Sequence, residues 1–405
     1  MKKVLLPFVV IALCLLTVSS CCEKRAKYVF YFIGDGMGFS HVALAEAYLA
    51  TEKGVIGSEP LNFSKFPELG IATTYSASNY ITCSSAAGTA LSTGHKTNNG
   101  MLGVLPDSTN LTSISYKIHD AGYKVGIMTT VTIDHATPGA FYAHSPSRSD
   151  YYSIGKELSA TGFEFFGGGG FATPRGKGQA EQSLYEITEN AGYTVAYGLD
   201  EFNAKKENAS KIVLFQEKGK EDNILPYALG RKKNDLTLSQ VVSSAIEVLE
   251  NEKGFFIMAE GGKIDWAAHS NDLANTIFET IDMADAVEIA YQFYLKHKDE
   301  TLIIVTADHE TGGVSLGMTK GYVYNLKVVD SIKVNATETT VENYMNSAAV
   351  MDTVSQKAQI GWTTKSHTGG GVPVYAIGAG SELFRGRMDN TDIPQKICKA
   401  MGIEY

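Results

Sequence analysis

Residues 28–38 read YVFYFIGDGMG, and this stretch decides the fold class of the chain. Consecutive apolar and aromatic residues, of the types that favour strands, lead directly into Gly34, Asp35 and two further glycines. A continuous apolar run is typical of a strand that is buried on both faces, as in a parallel sheet covered by helices. Glycines around one carboxylate indicate a tight turn that brings the backbone close to a bound group, although such turns also occur in ordinary loops.

The same strand-like pattern recurs along the chain and alternates with helical stretches. Apolar residues at helical spacing are clearest in Leu236–Glu252 and Asp272–Lys296. This alternation predicts an α/β three-layer sandwich, in which a large and mostly parallel central sheet is flanked by helices. The further strands are predicted at Lys124–Met128, Phe255–Met258, Thr301–Val305 and Val372–Ile377.

We expect a single domain over residues 28–405, because no repeat or low-complexity tract divides the chain. Two segments fit the alternation poorly, one from about residue 167 to 234 and the other from about residue 313 to 362. The first contains a run of four glycines at 167–170, and the second combines β-type residues with polar turns. We interpret both as smaller inserted, crown-like segments that decorate the domain.

Residues 1–20 have the features of an export signal. Two lysines precede an apolar run from Val4 to Val18, which is shorter than the roughly 20 residues that a membrane-spanning helix needs. The residues around Cys21 resemble a bacterial lipoprotein box, in which Cys21 is lipidated and residues 21–27 form a tether. Cleavage nearby and release of a free secreted protein is the alternative. Both readings place the protein outside the cytoplasm, in the periplasm or at the cell surface.

Composition limits the classes of function. The chain has 405 residues, with 35 lysines and arginines against 44 aspartates and glutamates, so its net charge is −9. This balance argues against nucleic-acid binding, which depends on clustered basic residues. The five cysteines show no disulfide framework, and an exported protein with a large core does not need one. An anionic substrate would need a local source of positive charge, and we expect metal ions to supply it.

Acidic and imidazole side chains gather where the apolar strands end, which is where open α/β sheets bind their ligands. Glu260 follows the strand that begins at Phe255, and Asp265 and His269 come next, four residues apart. On a helix these two side chains share one face and suit a zinc ion. An ordinary surface pair with the same spacing is the alternative.

The strand that begins at Thr301 leads into Asp308 and His309. Neighbouring residues on a continuing strand point to opposite faces, so both can meet one ion only if the strand ends there, as the glycines that follow indicate. His367 lies in another glycine-rich loop. Together the candidate ligands suit Zn²⁺ with an oxygen-preferring Mg²⁺ beside it. They are Asp35, Glu260, Asp265, His269, Asp308, His309 and His367.

A run of small residues from Tyr80 to Gly94 can begin a helix that packs closely against a sheet. Ser84 lies at the expected helix start, where unpaired N–H groups and the helix dipole favour an anion. Serine is a poor nucleophile without a base or a metal, and no Gly-x-Ser-x-Gly elbow accompanies this one. A helix N-cap is the alternative role for Ser84.

In their order along the chain, these residues resemble the alkaline phosphatases. The resemblance spans about residues 28–378. It implies the family fold and an exported phosphomonoesterase that hydrolyses a broad range of phosphate monoesters at alkaline pH. The matching motifs are Asp35-Gly-Met-Gly, Thr82-Cys-Ser84, Lys96-Thr-Asn-Asn-Gly100, His135-Ala-Thr137-Pro, Arg148, Glu260-Gly-Gly-Lys-Ile-Asp265, His269, Thr306-Ala-Asp308-His309 and His367-Thr-Gly.

The resemblance also implies a role for each matching residue. Ser84 would form a phosphoserine intermediate, and the planar guanidinium of Arg148 would hold two phosphoryl oxygens. Family members are usually dimers, so a homodimer is expected, with membrane contact only through the lipid anchor. The implied ligands are Asp265, His269 and His367 for one zinc ion, Asp35, Asp308 and His309 for a second, and Asp35, Thr137 and Glu260 for one magnesium ion.

Three positions depart from the common family pattern. Cys83 stands where an aspartate often helps to hold the arginine, so we expect Arg148 to be held less tightly and phosphate to leave faster. His135 and Trp266 stand where many bacterial members have Asp and Lys. His135 would coordinate a zinc ion in the third site or orient water around a magnesium ion there. Trp266 removes a positive charge near the phosphate.

Alternative functions remain open at the level of sequence. Ser85 is a rival nucleophile by adjacency alone. A phosphodiesterase or sulfatase of the same superfamily is the nearest alternative, although His144 occupies the nucleophile position of the sulfatase-like stretch His144–Arg148. From another class, a non-catalytic lipoprotein that binds metal or phosphate would need an inert Ser84.

Overall fold

The structure is a computed structural model that describes residues 25–216, 223–334 and 344–405, without the side chains at 333 and 334. The expected export signal, Cys21 and the first part of the expected tether lie outside these residues. Within the described ranges, no helix combines the length and the apolar character needed to cross a membrane.

A ten-stranded sheet forms the centre of the molecule, and four further short strands form two separate two-stranded sheets. In chain order the strands are β1 (Tyr28–Gly34), β2 (Glu68–Thr73), β3 (Lys124–Thr129), β4 (Phe165–Gly168), β5 (Thr194–Tyr197), β6 (Ile212–Phe215), β7 (Phe255–Gly261), β8 (Thr301–Ala307), β9 (Glu310–Thr311), β10 (Ser315–Leu316), β11 (Ile360–Gly361), β12 (His367–Thr368), β13 (Val372–Gly378) and β14 (Gly386–Asp389). The order across the sheet is β14-β2-β13-β8-β1-β7-β3-β4-β6-β5. Neighbours run parallel except at β13, which is antiparallel to β8 and β2. The prediction of a large, mostly parallel sheet is confirmed.

Helices cover both faces of this sheet, and every residue of β1, β7 and β8 is buried as a result. The longest helix begins at Leu273, where Asp272 caps it by accepting a hydrogen bond from the N–H of Asn275. The helices are α1 (Phe39–Glu52), α2 (Ser84–Thr93), α3 (Ile114–Asp120), α4 (Ala136–Gly139), α5 (Tyr151–Leu158), α6 (Leu184–Asn190), α7 (Gly198–Lys205), α8 (Leu238–Leu249), α9 (Lys263–His269), α10 (Leu273–Lys296), α11 (Asp330–Val334), α12 (Ala348–Ala358) and α13 (Asp392–Met401).

The register of the three central strands aligns their C-terminal ends, where the polar residues of the candidate site are located. Gly34 at the end of β1 pairs with Gly261 of β7 on one side and with Ala307 of β8 on the other. Because these strands are parallel, their C-terminal ends lie along one edge of the sheet. Asp35, Glu260 and Asp308 therefore emerge next to one another, although they are far apart in the sequence.

Aromatic packing at the opposite, N-terminal end of these strands holds them together. The ring of Phe255 on β7 lies 5.0 Å from that of Tyr28 and 5.2 Å from that of Phe30, measured between centroids. Phe293 of α10 meets Tyr28 edge to face at 4.9 Å. Burial of each such ring contributes about 2–3 kcal/mol. The strands that carry the polar residues are thus fixed relative to one another and to α10.

The segment from residue 167 to 234 differs from its sequence-based interpretation. It supplies β5 and β6, which extend the central sheet beyond β4, together with α6 and α7. The interpretation as a decorating insertion is therefore wrong for this part of the chain. The physical reason is that β5 and β6 have only four residues each, too few to show a clear period in the sequence.

The segment from residue 313 to 362 packs outside the central sheet. Its residues Leu326, Met351 and Ile360 form a hydrophobic cluster with Tyr48 of α1 and Ile277 of α10, separate from the main core. The short antiparallel pair β10–β11 and helix α12 belong to this segment. It therefore has a small core of its own, which rests on two helices of the main domain.

Candidate metal and phosphate site

Three groups of acidic and imidazole side chains converge at the C-terminal edge of β1, β7 and β8. Within each group the potential ligand atoms all lie within 4.8 Å of one another. Neighbouring groups share Asp265 or Asp35, so they form one continuous ligand cluster. The groups are Asp265, His269 and His367; Asp35, Asp265 and His309; and Asp35, His135 and Glu260.

The first group joins α9 to β12. Asp265 Oδ1 lies 3.3 Å from His269 Nε2, one helical turn later, and His367 Nε2 lies 3.2 Å from the same nitrogen. Backbone carbonyls orient both rings, because His269 Nδ1 is 2.7 Å from the oxygen of Lys365 and His367 Nδ1 is 2.8 Å from that of Thr82. Each Nδ1 thus donates its proton outward, and each Nε2 directs its lone pair into the group, as metal-binding histidines do.

The second group lies at the end of β8, where Asp308, which is not a member of the three groups, directly precedes His309. Because the strand ends there, Asp308 and His309 face the same side, with 3.1 Å between Asp308 Oδ2 and His309 Nε2. The same nitrogen lies 3.3 Å from Asp35 Oδ1. The N–H groups of Gly36 and His309 both donate to Asp308 Oδ1. That leaves Oδ2 of Asp308 buried without a hydrogen-bond partner.

The third group lies between β7 and α4. The hydroxyl of Thr129 donates to Glu260 Oε2, whereas Glu260 Oε1, both carboxylate oxygens of Asp35 and Nδ1 of His135 are buried without a hydrogen-bond partner. Thr137 is buried in α4, two residues after His135. Buried polar atoms without partners are rare and costly in folded proteins. Cations held among these atoms fit the donor set.

The carboxylates of the cluster have displaced pKa values. Burial raises the pKa of Asp308 to about 8 and that of Glu260 to about 7. Burial together with repulsion from Asp308 raises the pKa of Asp35 well above its usual value. Asp265 is buried too, but its hydrogen bond with His269 and the nearby imidazoles hold its pKa below the usual range. Without cations the cluster therefore cannot keep all of its carboxylates ionised near neutral pH, and bound divalent cations would favour their ionised forms.

Ser84 is the first residue of α2 and is buried beside the cluster, with its Oγ 3.3 Å from His309 Nε2. Small residues bring α2 close to α4: a Cβ at Gly88 would lie 3.1 Å from the Cβ of Ala140. The hydroxyl of Ser85 contacts Cys83 instead, with its Oγ 3.2 Å from the sulfur. Of the two adjacent serines, Ser84 is thus the one that meets the cluster.

Arg148 lies partly buried on the loop between α4 and α5. Its backbone N–H donates to the carbonyl of Gly100 at 2.7 Å, and the N–H of Gly100 donates to Cys83 Sγ at 3.1 Å. Burial raises the pKa of both Asp35 and Glu260, and the positive charge of Arg148 offsets a small part of that rise, which indicates that the guanidinium lies near the cluster. One glycine thus connects the segment of the candidate nucleophile to the segment of the candidate phosphate-binding arginine.

His135 lies between two aromatic rings. Tyr151 stacks on it with the centroids 6.4 Å apart, and Trp266 meets it edge to face at 5.8 Å. Burial lowers the pKa of His135 to about 3, so its imidazole is neutral. Trp266 therefore acts on the third group through contact with His135.

Sequence reasoning missed residues that orient the ligands. The hydroxyl of Thr311 donates to Asp265 Oδ1 at 2.6 Å and lies 3.2 Å from His309 Nδ1. Its position two residues after His309 was an available signal, because alternate residues of an extended segment share a face. Thr129 and Tyr151 gave no comparable signal, since they come from distant parts of the chain.

Comparison with known proteins identifies this arrangement. The alkaline phosphatase family model matches residues 26–164 and 171–403. The chain belongs to the alkaline phosphatase family. It is therefore an enzyme of the phosphoric monoester hydrolase class, and the predicted resemblance is confirmed.

Relatives match over nearly the whole chain. Alkaline phosphatase 3 of Bacillus subtilis (strain 168) is 32% identical over 429 residues, which cover 94% of this chain and 90% of that protein. The Thermus thermophilus enzyme superposes with a TM-score of 0.81 at 26% identity, covering 94% and 92% of the two chains. The enzyme of the Antarctic bacterium TAB5 superposes with a TM-score of 0.75 at 29% identity, and the match covers 95% of this chain and 100% of that chain. A histidine-to-glutamate variant of the TAB5 enzyme has Mg bound in its M3 site.

Proposed function

We propose that this alkaline phosphatase hydrolyses a broad range of phosphate monoesters at alkaline pH through a covalent phosphoserine at Ser84. The observation that carries the proposal is the position of Ser84 Oγ, 3.3 Å from His309 Nε2 at the edge of the ligand cluster. The N-terminus of α2 supports it, because its free N–H groups favour the negative charge of a phosphoryl group.

We propose two zinc ions and one magnesium ion as cofactors. The buried carboxylate oxygens of Asp35, Asp308 and Glu260 that lack hydrogen-bond partners support this assignment. When bound, the ions supply positive charge that stabilises the attacking and leaving oxygens of phosphoryl transfer. The proposed ligand sets are Asp265, His269 and His367; Asp35, Asp308 and His309; and Asp35, Thr137 and Glu260 for magnesium, with His135 as an added ligand if zinc occupies the third site.

The protein's own groups perform the remaining tasks. Ser84 gives its proton to solvent water, and its oxygen forms a bond to phosphorus while the bond from phosphorus to the leaving alcohol oxygen breaks. The departing oxygen takes a proton from water and leaves as the alcohol. Arg148 donates hydrogen bonds from its planar guanidinium to two phosphoryl oxygens and so orients the group for in-line attack. Water then attacks the phosphoserine, which restores the serine and releases inorganic phosphate. Because these contacts are to the phosphoryl group, many alcohols are accepted as leaving groups.

We also propose that the protein is exported, with residues 1–20 as the signal and Cys21 as the lipidated residue that anchors it. The basic start and short apolar run support export, and the Val18–Cys21 stretch supports lipidation. A homodimer remains an expectation from the family.

Hydrolysis of p-nitrophenyl phosphate by the purified, metal-loaded protein tests the proposal. We expect Ser84→Ala and chelation each to lower the rate by about 10³-fold or more, because each removes a group that acts in the transition state. Ser85→Ala is the matched control, since it removes the neighbouring hydroxyl that contacts Cys83 instead of the cluster. Full activity in Ser84→Ala would rule out the phosphoserine pathway.

The nearest alternatives are separated by substrate. A phosphomonoesterase hydrolyses p-nitrophenyl phosphate much faster than the corresponding diester or sulfate, whereas a phosphodiesterase or a sulfatase shows the opposite preference. A metal- or phosphate-binding lipoprotein without activity would bind inorganic phosphate and turn over none of the three.

A further inference from the structure

A cavity of about 480 Å³ lies between residues 147–153 and residues 173–181. This volume is within the range of natural small-molecule sites. Ser147 and Ser149, which line it, are the two neighbours of Arg148 in the chain. The cavity therefore begins at the chain neighbours of the proposed phosphate-binding arginine, whose own side chain does not line it, and the proposed reaction assigns this cavity no role.

The first wall of the cavity is continuous with the ligand cluster. Tyr151 lines the cavity, and its ring also stacks on His135 with an angle of 14° between the two planes. The wall begins beside Arg148 and passes into α5, where Asp150 caps the helix by accepting from the N–H of Ser153. Through the ring of Tyr151 the cavity therefore borders on His135 of the third ligand group.

The second wall is tied to the same region. Both carboxylate oxygens of Asp134 accept from the N–H of Ala172 at 3.0 Å, directly before Thr173 of the cavity lining. Asp134 precedes His135 in the chain, so this wall is anchored to the segment that carries the third ligand group. The hydroxyl of Tyr152 donates to the carbonyl of Gln182 at 2.9 Å and connects the two walls. The cavity is thus held from both sides by residues of the site region.

The lining chemistry suits a polyhydroxylated molecule. Glu181 and Asp150 offer carboxylate acceptors, Lys177 offers a donor, and the ring of Tyr152 offers a flat apolar face. Sugars combine hydroxyl groups with apolar C–H faces and can satisfy both kinds of surface. A plain alkyl or aryl alcohol would leave most of the polar groups without partners, which lowers its relative affinity.

We propose that this cavity binds the sugar part of phosphorylated sugars, so that these monoesters are preferred over aryl phosphates. The inference rests on the proposed function, because it assigns the leaving group of that reaction. The sugar would extend from the phosphoryl group past Ser147 and Ser149 into the space between the two walls. The enzyme would still accept other alcohols, but without the contribution of these contacts to kcat/KM.

The test compares kcat/KM for glucose 6-phosphate with kcat/KM for p-nitrophenyl phosphate in the metal-loaded enzyme. We expect Glu181→Ala, Lys177→Ala and Tyr152→Ala each to lower the ratio of the first value to the second by about tenfold, on the order of one lost hydrogen bond or ring contact. Inhibition by inorganic phosphate should stay unchanged, because none of these side chains is proposed to contact the phosphoryl group. Glu181 and Lys177 are exposed, so their replacement should not disturb folding.

Tyr322→Ala is the control, because Tyr322 is a fully exposed tyrosine in the 313–362 segment. If the wild-type enzyme hydrolyses neither substrate, the proposed function itself fails. If it hydrolyses both and the ratio is the same in wild type and all three cavity variants, the sugar site is overturned while the phosphatase remains. An equal loss on both substrates also overturns it, since that result shows a general effect on the site.

Discussion

Cys83 gives this enzyme an unusual neighbour for its arginine. Burial raises the pKa of the Cys83 thiol, but hydrogen bonds from the side chain of Ser85 and from backbone N–H groups, together with the charge of Arg148, lower it overall. The sulfur accepts the N–H of Gly100, whose carbonyl holds the backbone of Arg148. Cys83 is thus connected to Arg148 through the backbone of Gly100, whereas an aspartate would offer a full negative charge to the guanidinium.

Replacement of this cysteine tests that difference. We expect Cys83→Asp to tighten inhibition by inorganic phosphate by about tenfold, because a carboxylate would hold Arg148 in place with a charge-assisted hydrogen bond. The inhibition constant is measured against p-nitrophenyl phosphate. Cys83→Ser is the control, as it changes the atom without adding charge and should leave the constant near the wild-type value. An unchanged constant in the Asp variant would contradict the idea.

At the residue scale, the sequence was informative where chemistry and position coincided. Asp35, Glu260 and Asp308 stood out because several acids followed predicted strands of one sheet, at the edge where open α/β sheets bind ligands. Thr129 could not be found in this way, since threonine is common in strands and its hydrogen bond to Glu260 joins residues 131 apart. Such orienting partners depend on the fold and become visible only when distant strands are placed side by side.

The loop that carries Arg148 is fixed at its start by His144. Its Nδ1 lies 2.8 Å from Glu157 Oε2 on α5, and its Nε2 lies 2.8 Å from the carbonyl of Leu111. The N–H of His144 also donates to Glu157. Both ring nitrogens face acceptors, so the hydrogen bonds are complete only when the ring is protonated. The loop is thereby attached to α5 on one side and to the backbone at Leu111 on the other.

We expect His144→Ala to raise KM and the inhibition constant of phosphate several-fold, with a smaller change in kcat, because Arg148 loses a fixed position. In an Arg148→Ala background the same substitution should have little further effect on these constants, and steady-state kinetics of the four proteins measures this coupling. Additive effects would show that His144 acts independently of the arginine.

The contact between His144 and Glu157 stabilises the folded state more at low pH than at high pH. The hydrogen bond to Glu157 raises the pKa of His144 above its ordinary value of 6.5, so the folded state binds the proton more tightly than the unfolded state. The resulting stability is fully present below about pH 6.5 and is lost as pH rises through the folded-state pKa. The difference in Tm between wild type and His144→Ala should accordingly be larger at pH 6 than at pH 9.

Elements were predicted well where they are long and buried. The strand that begins at Phe255 and the helix that begins at Leu273 were found close to their observed limits, because each has enough residues to show its period. The edge strands β5 and β6 were missed for the opposite reason. The antiparallel direction of β13 was not foreseen either, since strand direction follows from long-range connections and leaves no local pattern.

For the whole molecule, the buried carboxylates link stability to metal content. Without metal, the pKa of Asp308 rises from 3.8 to about 8 and that of Glu260 from 4.5 to about 7. The folded metal-free enzyme therefore loses stability as pH rises through these values, because ionised carboxylates without cations are unfavourable in a buried site. Bound cations remove this penalty and bind only the folded state.

We expect the rise in Tm on adding zinc and magnesium to a chelated sample to be larger at pH 8.5 than at pH 5.5. Thermal unfolding at both pH values, with and without metal, measures it. Asp308→Asn is the informative variant, because it removes one buried charge. The Tm of its metal-free form should depend less on pH, and its Tm should rise less when metal is added. A gain in Tm that is equal at both pH values would contradict the link.

The middle of the central sheet combines the first strand of the fold with two that come late. A nascent chain that ends near residue 250 contains residues 28–34 but neither of the segments that flank them in the finished sheet. This apolar strand lacks both of its neighbours until most of the polypeptide has been synthesised, and such long-range pairing slows folding. That delay is compatible with the proposed export, in which a precursor crosses a membrane in an extended form, and we expect a secretion chaperone to bind residues 28–34.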